Sequence, residues 1–142
     1  MNTFTTDQIG RVVLIHLGKG EYVLESIQKE IKRLNIENGI LISAIGSLRK
    51  AVLHFITSTE DQAENKFITI EQPIELASAQ GLIIQGEPHF HLTISDPSGM
   101  HAGHMEPGCE VQYLAELAIL ELKELNLTRR LDKYGISYID QL

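Results

Sequence analysis

Histidines cluster in one short segment, with a spacing that suits metal binding. His89 and His91 lie two residues apart in a stretch typical of a β-strand, so both imidazoles should project from one face. Turn-forming residues 96–99 can then fold the chain back and bring His104 onto a neighbouring strand. Three imidazoles from two strands form a facial nitrogen set that suits zinc and leaves a fourth position open. The spacing alone also fits half-buried, hydrogen-bonded histidines, so both alternatives stand at this point.

The other histidines and the cysteine have weaker patterns. His101 lies an odd number of residues from His104, so in an extended segment it points to the opposite face, although a turn at 99–103 would remove that argument. His16 and His54 stand alone in apolar runs, where we predict core or interface positions. Cys109 follows a Pro-Gly turn and is predicted to be a partly buried, apolar side chain.

The composition predicts one globular domain over residues 1–142. The chain is 43% hydrophobic and 22% charged, which is ordinary for a globular protein. No apolar run is long enough for a membrane span, and the first residues lack the pattern of a signal peptide. A single cysteine excludes an intrachain disulfide. We therefore expect a cytoplasmic protein that has no membrane partner.

The charge balance argues against nucleic acid as a partner. Nineteen acidic residues outnumber twelve basic ones, which gives a net charge of −7. Nucleic-acid binding draws most of its affinity from basic side chains that neutralise phosphates. Here the basic residues are scattered in small groups at 29–33, 49–50 and 129–133, and each group is typical of a solvated face.

Hydrophobic periodicity predicts an α+β fold. Apolar positions at helical spacing predict one main helix over 21–34. Period-two and β-branched patterns predict strands at 11–17, 40–45, 48–57, 66–72, 76–84, 88–95 and 109–122. Gly46-Ser47 is predicted to separate two of these strands, and turns are predicted at 96–99 and 106–108. The fold class is therefore a mainly antiparallel β-sheet packed with one main helix.

With these residues placed, the chain resembles the plants-and-prokaryotes conserved (PPC) domain in its free-standing prokaryotic form. The matching pieces are His-Leu-Gly-Lys-Gly-Glu at 16–21, Ser-Ala-Ile-Gly-Ser-Leu at 43–48, Ile-Glu-Leu-Ala-Ser-Ala-Gln-Gly at 74–81, the His-x-His strand, Gly-His at 103–104, and Ala-Glu-Leu at 115–117. The resemblance implies a compact subunit that assembles as a homotrimer. It also implies a metal site, usually zinc, at the motif positions occupied here by His89, His91 and His104.

The chain departs from its plant relatives in the feature that gives them DNA binding. Those relatives carry an Arg-Gly-Arg-Pro arm for the minor groove, and this sequence has none. A candidate DNA-binding role borrowed from them therefore lacks physical support here. Near the histidines, Ala102 stands where the family commonly has a glycine, and we expect this to alter the pocket's shape more than its ligands.

Two functions follow from these observations. The first is a trimeric, zinc-binding module of regulatory or scaffolding type. Its partners would be further copies of the same chain and a small molecule or a protein. The alternative is a zinc-dependent, lyase-like enzyme acting on a small acidic or carbonyl substrate, as the similarity of fold to acetolactate decarboxylase would allow. An enzyme needs a general acid or base, for which Glu75, Glu110 and Glu116 are candidates by residue type. Asp96 and Glu106 lie in turns and are assigned to turn formation.

Overall fold

One helix and nine β-strands make up the fold. The structure is a computed structural model that describes residues 1–142. In chain order the elements are β1 (Ile9–Gly18), α1 (Val23–Leu34), β2 (Asn38–Ile56), β3 (Asn65–Ile70), β4 (Ile74–Ile84), β5 (Glu87–Asp96), β6 (Gly99–Met105), β7 (Glu110–Leu122), β8 (Leu127–Leu131) and β9 (Ser137–Gln141). The predicted helix and a mainly antiparallel sheet are therefore both present.

The long strand β2 organises the sheet. Seven strands pair in the order β1-β7-β2-β4-β5-β6, and β3 is added on β2. The first part of β2 pairs with β4 and β7, whereas its last part pairs with β3 and also with β6. Because β2 thus contacts both ends of the β4-β5-β6 run, those strands close into a ring. This closure brings residues from distant parts of the chain beside the predicted histidine site.

The helix packs its apolar side onto the core. The buried residues of the helix recur at helical spacing, as the sequence predicted, and they belong to the main hydrophobic cluster. They are Val23, Leu24, Ile27 and Ile31. The helix ends at Asn35, whose φ of 53° lets its backbone N–H return to the last carbonyls. The helix is too short and polar to cross a membrane, and no other helix is present. Only one face of the sheet is covered in this way.

Two details of the strands differ from the prediction. Gly46 does not break a strand, because β2 runs through it. A Cβ on Gly46 would overlap the backbone of Leu114 and Ala115 in β7, so the glycine permits a close approach of two strands. The β8–β9 hairpin is an element that the sequence analysis did not predict, because its short, polar strands carry little periodic signal. The turns at 96–99 and 106–108 lie where predicted.

Candidate metal centre

The structure brings His89, His91 and His104 together. Their ligand atoms all lie within 4.8 Å of one another. His89 and His91 share a face of β5 because strand side chains alternate, and antiparallel pairing places His104 of β6 directly opposite His91. The ring centroids are 4.8 to 5.6 Å apart. The predicted convergence is therefore present, and metal binding by these three residues stays a prediction.

His54 is a fourth member of the cluster, so it is not the isolated core histidine that the sequence predicted, whereas an interface position stays a prediction. It pairs with His104 across β2 and β6, and the two ring centroids are 4.7 Å apart. Its other cross-strand neighbour is Phe67, whose ring centroid lies 5.0 Å away. No local pattern in the sequence reveals that His54 lies beside His104, because this proximity depends on pairing between strands about fifty residues apart in the sequence.

Glu106 supplies a carboxylate to the same cluster, which corrects its assignment to turn formation alone. Its Oε1 lies 2.6 Å from Nδ1 of His54 and 3.9 Å from Nε2 of His104. The ligand atoms of these three residues lie within 4.8 Å of one another, so they form a second set that meets the first at His104. A signal for this residue existed in the sequence, because Glu106 follows His104 by two positions and can share its side of an extended chain.

The three glutamates proposed as acid or base lie elsewhere. Glu116 is exposed and lies 4.0 Å from Nδ1 of His16. Glu110 lies 3.8 Å from Arg49, and it lines a different cavity together with Glu75. None of the three lines the cavity formed by the histidines. The core position predicted for His16 was also wrong, since its side chain is 66% exposed, whereas an interface position stays a prediction.

His101 lies outside the cluster, as the parity argument predicts. Its Nε2 lies 2.9 Å from Oδ2 of Asp96. Asp96 also accepts hydrogen bonds from Ser98 and from the backbone N–H of Gly99, and these bonds, chiefly that of the Ser98 hydroxyl, hold the pKa of Asp96 well below its usual range. The pair therefore closes the β5–β6 turn, which agrees with the structural role predicted for Asp96.

The clustered histidines line a cavity of about 460 Å³. Its wall consists of His54, Phe55, Ile56, His89, His91, Ala102, Gly103 and His104. A Cβ on Gly103 would come within 2.5 Å of the His54 carbonyl oxygen, so the glycine allows β2 and β6 to approach here. The lining thus combines imidazole nitrogens with apolar side chains, as is typical of small-ligand sites.

The electrostatics keep two of the imidazoles neutral. Burial lowers the pKa of His104 to about 4, and the neighbouring His89 and His54 lower it further while Glu106 opposes them. Burial also lowers the pKa of His89, with an added contribution from the positive charge of Arg129. A metal binds only the deprotonated imidazole, so the neutral state at pH 7 suits coordination. The donor set fits zinc, which prefers nitrogen ligands in a three-residue site with one open position.

Cys109 is a structural residue. The side chain is fully buried, its thiol donates to the Val52 carbonyl at 3.4 Å, and its sulfur accepts from the Val52 N–H at 3.3 Å. Burial raises the pKa of this thiol to about 11. Because the reactive form is the thiolate, this raised pKa disfavours reactivity at neutral pH, and the side chain is buried more completely than predicted.

Comparison with known proteins identifies relatives of this chain. The sequence model of the Plants and Prokaryotes Conserved (PCC) domain matches residues 4–123. Among curated proteins, the bifunctional protein GlmU of Synechococcus sp. (strain JA-3-3Ab) is 26% identical over 123 residues, which are 86% of this chain and 19% of that protein. The chain therefore spans about a fifth of the length of that relative.

Solved structures share the fold over nearly the whole chain. A plant- and prokaryote-conserved (PPC) protein from Pyrococcus horikoshii is 29% identical with a TM-score of 0.81, covering 98% of this chain and 99% of its own. A metal-containing protein from Archaeoglobus fulgidus is 22% identical with a TM-score of 0.79 and 95% coverage of both chains. A protein from Bacteroides thetaiotaomicron that is proposed to bind DNA is 16% identical with a TM-score of 0.80 and 99% coverage of both. At these last two identities the likeness shows the fold alone.

Proposed function

The chain belongs to the Plants and Prokaryotes Conserved domain family, and from this premise we propose that it is a homotrimeric, zinc-binding module of regulatory or scaffolding type, with residues 1–142 as one domain. The observation that carries the proposal is the approach of the ligand atoms of His89, His91 and His104 to within 4.8 Å. Metal-containing proteins occur on this fold, as the Archaeoglobus fulgidus protein illustrates.

Zinc would be held by the three imidazoles of His89, His91 and His104. Zinc–nitrogen bonds of about 2.0–2.1 Å would join the ion to one ring nitrogen of each histidine. A zinc ion held by three imidazoles would keep one coordination position for an oxygen ligand. When bound, zinc would supply a Lewis acid at this position.

The uncovered face of the sheet supports self-association. Four apolar side chains lie directly opposite one another across neighbouring strands and form a continuous row of Val12, Leu120, Ile40 and Leu82. Val12 is 59% exposed and its neighbour Leu14 is 79% exposed. The row continues into His89, so a copy that covered it would also lie against the histidine cavity. Contiguous apolar surface of this kind marks an interface, and we assign it to the trimer contact.

Charge favours a small molecule or a protein over DNA as the further partner. A trimer would carry three times the net charge of −7, that is −21. Such a field repels a polyanion before contact. A protein proposed to bind DNA shares this fold. The negative charge of this chain nevertheless disfavours DNA binding, so DNA is not part of the function proposed here.

Glu106 favours a second candidate function, a zinc-dependent, lyase-like enzyme acting on a small acidic or carbonyl substrate. Its carboxylate lies within 4.8 Å of the ligand nitrogens of His54 and His104. General acid–base chemistry requires such a group within hydrogen-bond reach of the substrate. Turnover that is lost in Glu106→Gln while zinc stays bound would distinguish the enzyme from the module.

The test of the proposed function combines metal content with mass. Protein purified without an affinity tag should contain about one zinc per chain by elemental analysis, and light scattering should give three times the mass of the chain. The triple alanine variant of His89, His91 and His104 should lose the metal with its circular dichroism unchanged. His16→Ala is the matched control, since that histidine is exposed and lies outside the cluster. Unchanged zinc in the triple variant would refute the site, and a monomer mass would refute the trimer.

A further inference from the structure

A second cavity, of about 700 Å³, lies beside the middle of β2, and none of the clustered histidines lines it. It forms where β2 changes one of its neighbours. Leu48 is the last residue of β2 that pairs with β4, and Ala51 is the first that pairs with β3. Its volume falls within the range of about 300–1,000 Å³ that is typical of small-molecule sites. Most of the lining side chains are polar, so the cavity suits a ligand that forms several hydrogen bonds.

Irregular strand pairing turns neighbouring residues towards this cavity. In a regular strand, successive side chains alternate between the two faces of the sheet. The register between β2 and β7 shifts twice here, between Gly46 and Leu48 and again between Leu48 and Lys50. As a result, the consecutive residues Arg49 and Lys50 both line the cavity. Bulges of this kind are common next to functional sites, where they redirect side chains.

The two basic residues of the cavity are paired differently. Lys50 forms a close ion pair, with 2.9 Å between its Nζ and Oε1 of Glu71. The guanidinium of Arg49, in contrast, lies 3.8 Å from Oε1 of Glu110, which is beyond hydrogen-bond distance. This contact is the one ion pair that Glu110 forms, although its side chain is only 22% exposed. A carboxylate that loses most of its solvent normally gains a close partner in return.

This open pair suits a ligand that carries both charges. The guanidinium of Arg49 can bind a carboxylate through two parallel hydrogen bonds, and the carboxylate of Glu110 can accept from an ammonium group. An α-amino acid has both groups on one carbon atom, so its dipole would lie antiparallel to that of the side-chain pair. A simple carboxylate would be repelled by Glu110, and a simple amine would be repelled by Arg49.

Tyr113 offers a surface for the side chain of such a ligand. This residue lines the cavity and is 72% exposed. Its backbone N–H donates to the hydroxyl oxygen of Ser47 at 3.3 Å, a contact that ties β7 to β2 at the register shift. Pro73 adds a further apolar group to the lining. Because aromatic rings are stabilised by packing against one another, an aromatic side chain suits this wall.

We propose that this cavity binds a free aromatic α-amino acid, whose carboxylate binds Arg49, whose ammonium group binds Glu110 and whose ring packs on Tyr113. Lys50 stays paired with Glu71, which leaves the charges of the ligand to the open pair. This inference goes beyond the proposed function, because the site shares no residue with the metal centre and requires no metal.

The experiment titrates the full chain with L-phenylalanine, L-tyrosine and L-tryptophan in an isothermal calorimeter. We expect saturable binding of at least one of them with a dissociation constant below about 1 mM. The analogue that lacks the amino group and the analogue that lacks the carboxylate should each bind at least about tenfold more weakly, because each loses a charge-assisted hydrogen bond. For phenylalanine these analogues are 3-phenylpropionate and phenethylamine.

Variants of the two charged residues test their separate roles. Arg49→Gln and Glu110→Gln should each weaken binding of the amino acid at least about tenfold. In Arg49→Gln the amino acid should also lose its advantage over the amine, whereas in Glu110→Gln it should lose its advantage over the carboxylic acid. Arg130→Gln is the matched control, since Arg130 pairs with Asp140 at 3.0 Å and does not line the cavity. If Arg49→Gln does not fold, Arg49→Lys decides the question, because it keeps the charge, loses the fork and should bind several-fold more weakly than the parent.

A further variant separates this site from the metal centre, because amino acids also bind metal ions. The triple alanine variant of His89, His91 and His104 should bind the amino acid as tightly as the parent. Lost binding in that variant would place the ligand on the metal and overturn the inference. Absence of binding of all three amino acids to the parent, or unchanged affinity in Arg49→Gln or in Glu110→Gln, would overturn it as well.

Discussion

The imidazole of His54 and the carboxylate of Glu106 are hydrogen bonded at 2.6 Å, although 52 positions separate them in the sequence. Both lie beside His104, whose Nε2 is 3.9 Å from the same carboxylate oxygen. Histidines that bind metals usually direct their second ring nitrogen at a carboxylate, which fixes the ring orientation. The bond to His54 therefore holds Glu106 close to His104, and we expect a small side-chain rotation to bring this carboxylate within hydrogen-bond distance of Nε2 of His104.

Glu106→Gln should weaken zinc binding by about 10–100-fold, the usual effect of removing a carboxylate that orients a histidine ligand. Competition with a chromophoric chelator measures the affinity. The control is Glu116→Gln, because Glu116 is an exposed strand carboxylate outside the cluster. Unchanged affinity in Glu106→Gln would contradict the positioning role. Two bound zinc ions per parent chain would also contradict it, since His54, His104 and Glu106 would then hold a metal of their own.

Glu121 should make the stability of the protein depend on pH. Its buried carboxylate accepts hydrogen bonds from Arg11 and Lys123, and the bond from Arg11 is the main cause that lowers its pKa to about 2. A folded pKa below the unfolded value of about 4.5 contributes stability that is fully present above pH 4.5. This contribution is lost as the pH falls towards 2.

Glu121→Gln should therefore lower the free energy of unfolding by about 1–3 kcal/mol at pH 7, since it leaves buried donors and acceptors poorly paired. The difference from the parent should narrow as the pH falls from about 4.5 towards 2, where the parent carboxylate also becomes protonated. Urea denaturation at a series of pH values measures both quantities. A difference that stays constant with pH would show that packing, and not the charge, is responsible.

Leu14→Glu should dissociate the proposed trimer without unfolding the chain. Leu14 is 79% exposed on the uncovered apolar face, so a charge there costs little in the monomer but is unfavourable in a buried contact. Light scattering should show the mass fall to that of one chain. Leu131→Glu is the control, because Leu131 is 70% exposed on the hairpin, away from the apolar row. A trimer mass in Leu14→Glu would exclude this face as the interface.

The protein should not bind mixed-sequence duplex DNA at roughly 0.15 M salt, where nonspecific binders have dissociation constants of about 10⁻⁴ to 10⁻⁶ M. The reason is the net charge of −7 on each chain. Fluorescence anisotropy of a labelled duplex measures the binding. Submicromolar affinity that weakens steeply with added salt would restore DNA as the partner.

Local periodicity in the sequence determined the faces of the elements. The alternation of a strand places His89 and His91 on one side, and the spacing of Leu24, Ile27 and Ile31 predicts the buried side of the helix. The motifs shared with the PPC domain predicted the family, which the match over residues 4–123 confirms. These features could be predicted because each depends on residues a few positions apart.

Only the tertiary structure decided which other residues join the site. His54 reaches His104 because β2 pairs with β6 after closing the ring of strands, and the same pairing brings Glu106 within 2.6 Å of His54. Both contacts depend on strand register and closure across about fifty residues, and the composition of a short window carries no information on either. The prediction that Gly46 separates two strands failed for the same reason. A residue without a side chain is needed there because β7, a strand far away in the sequence, approaches closely.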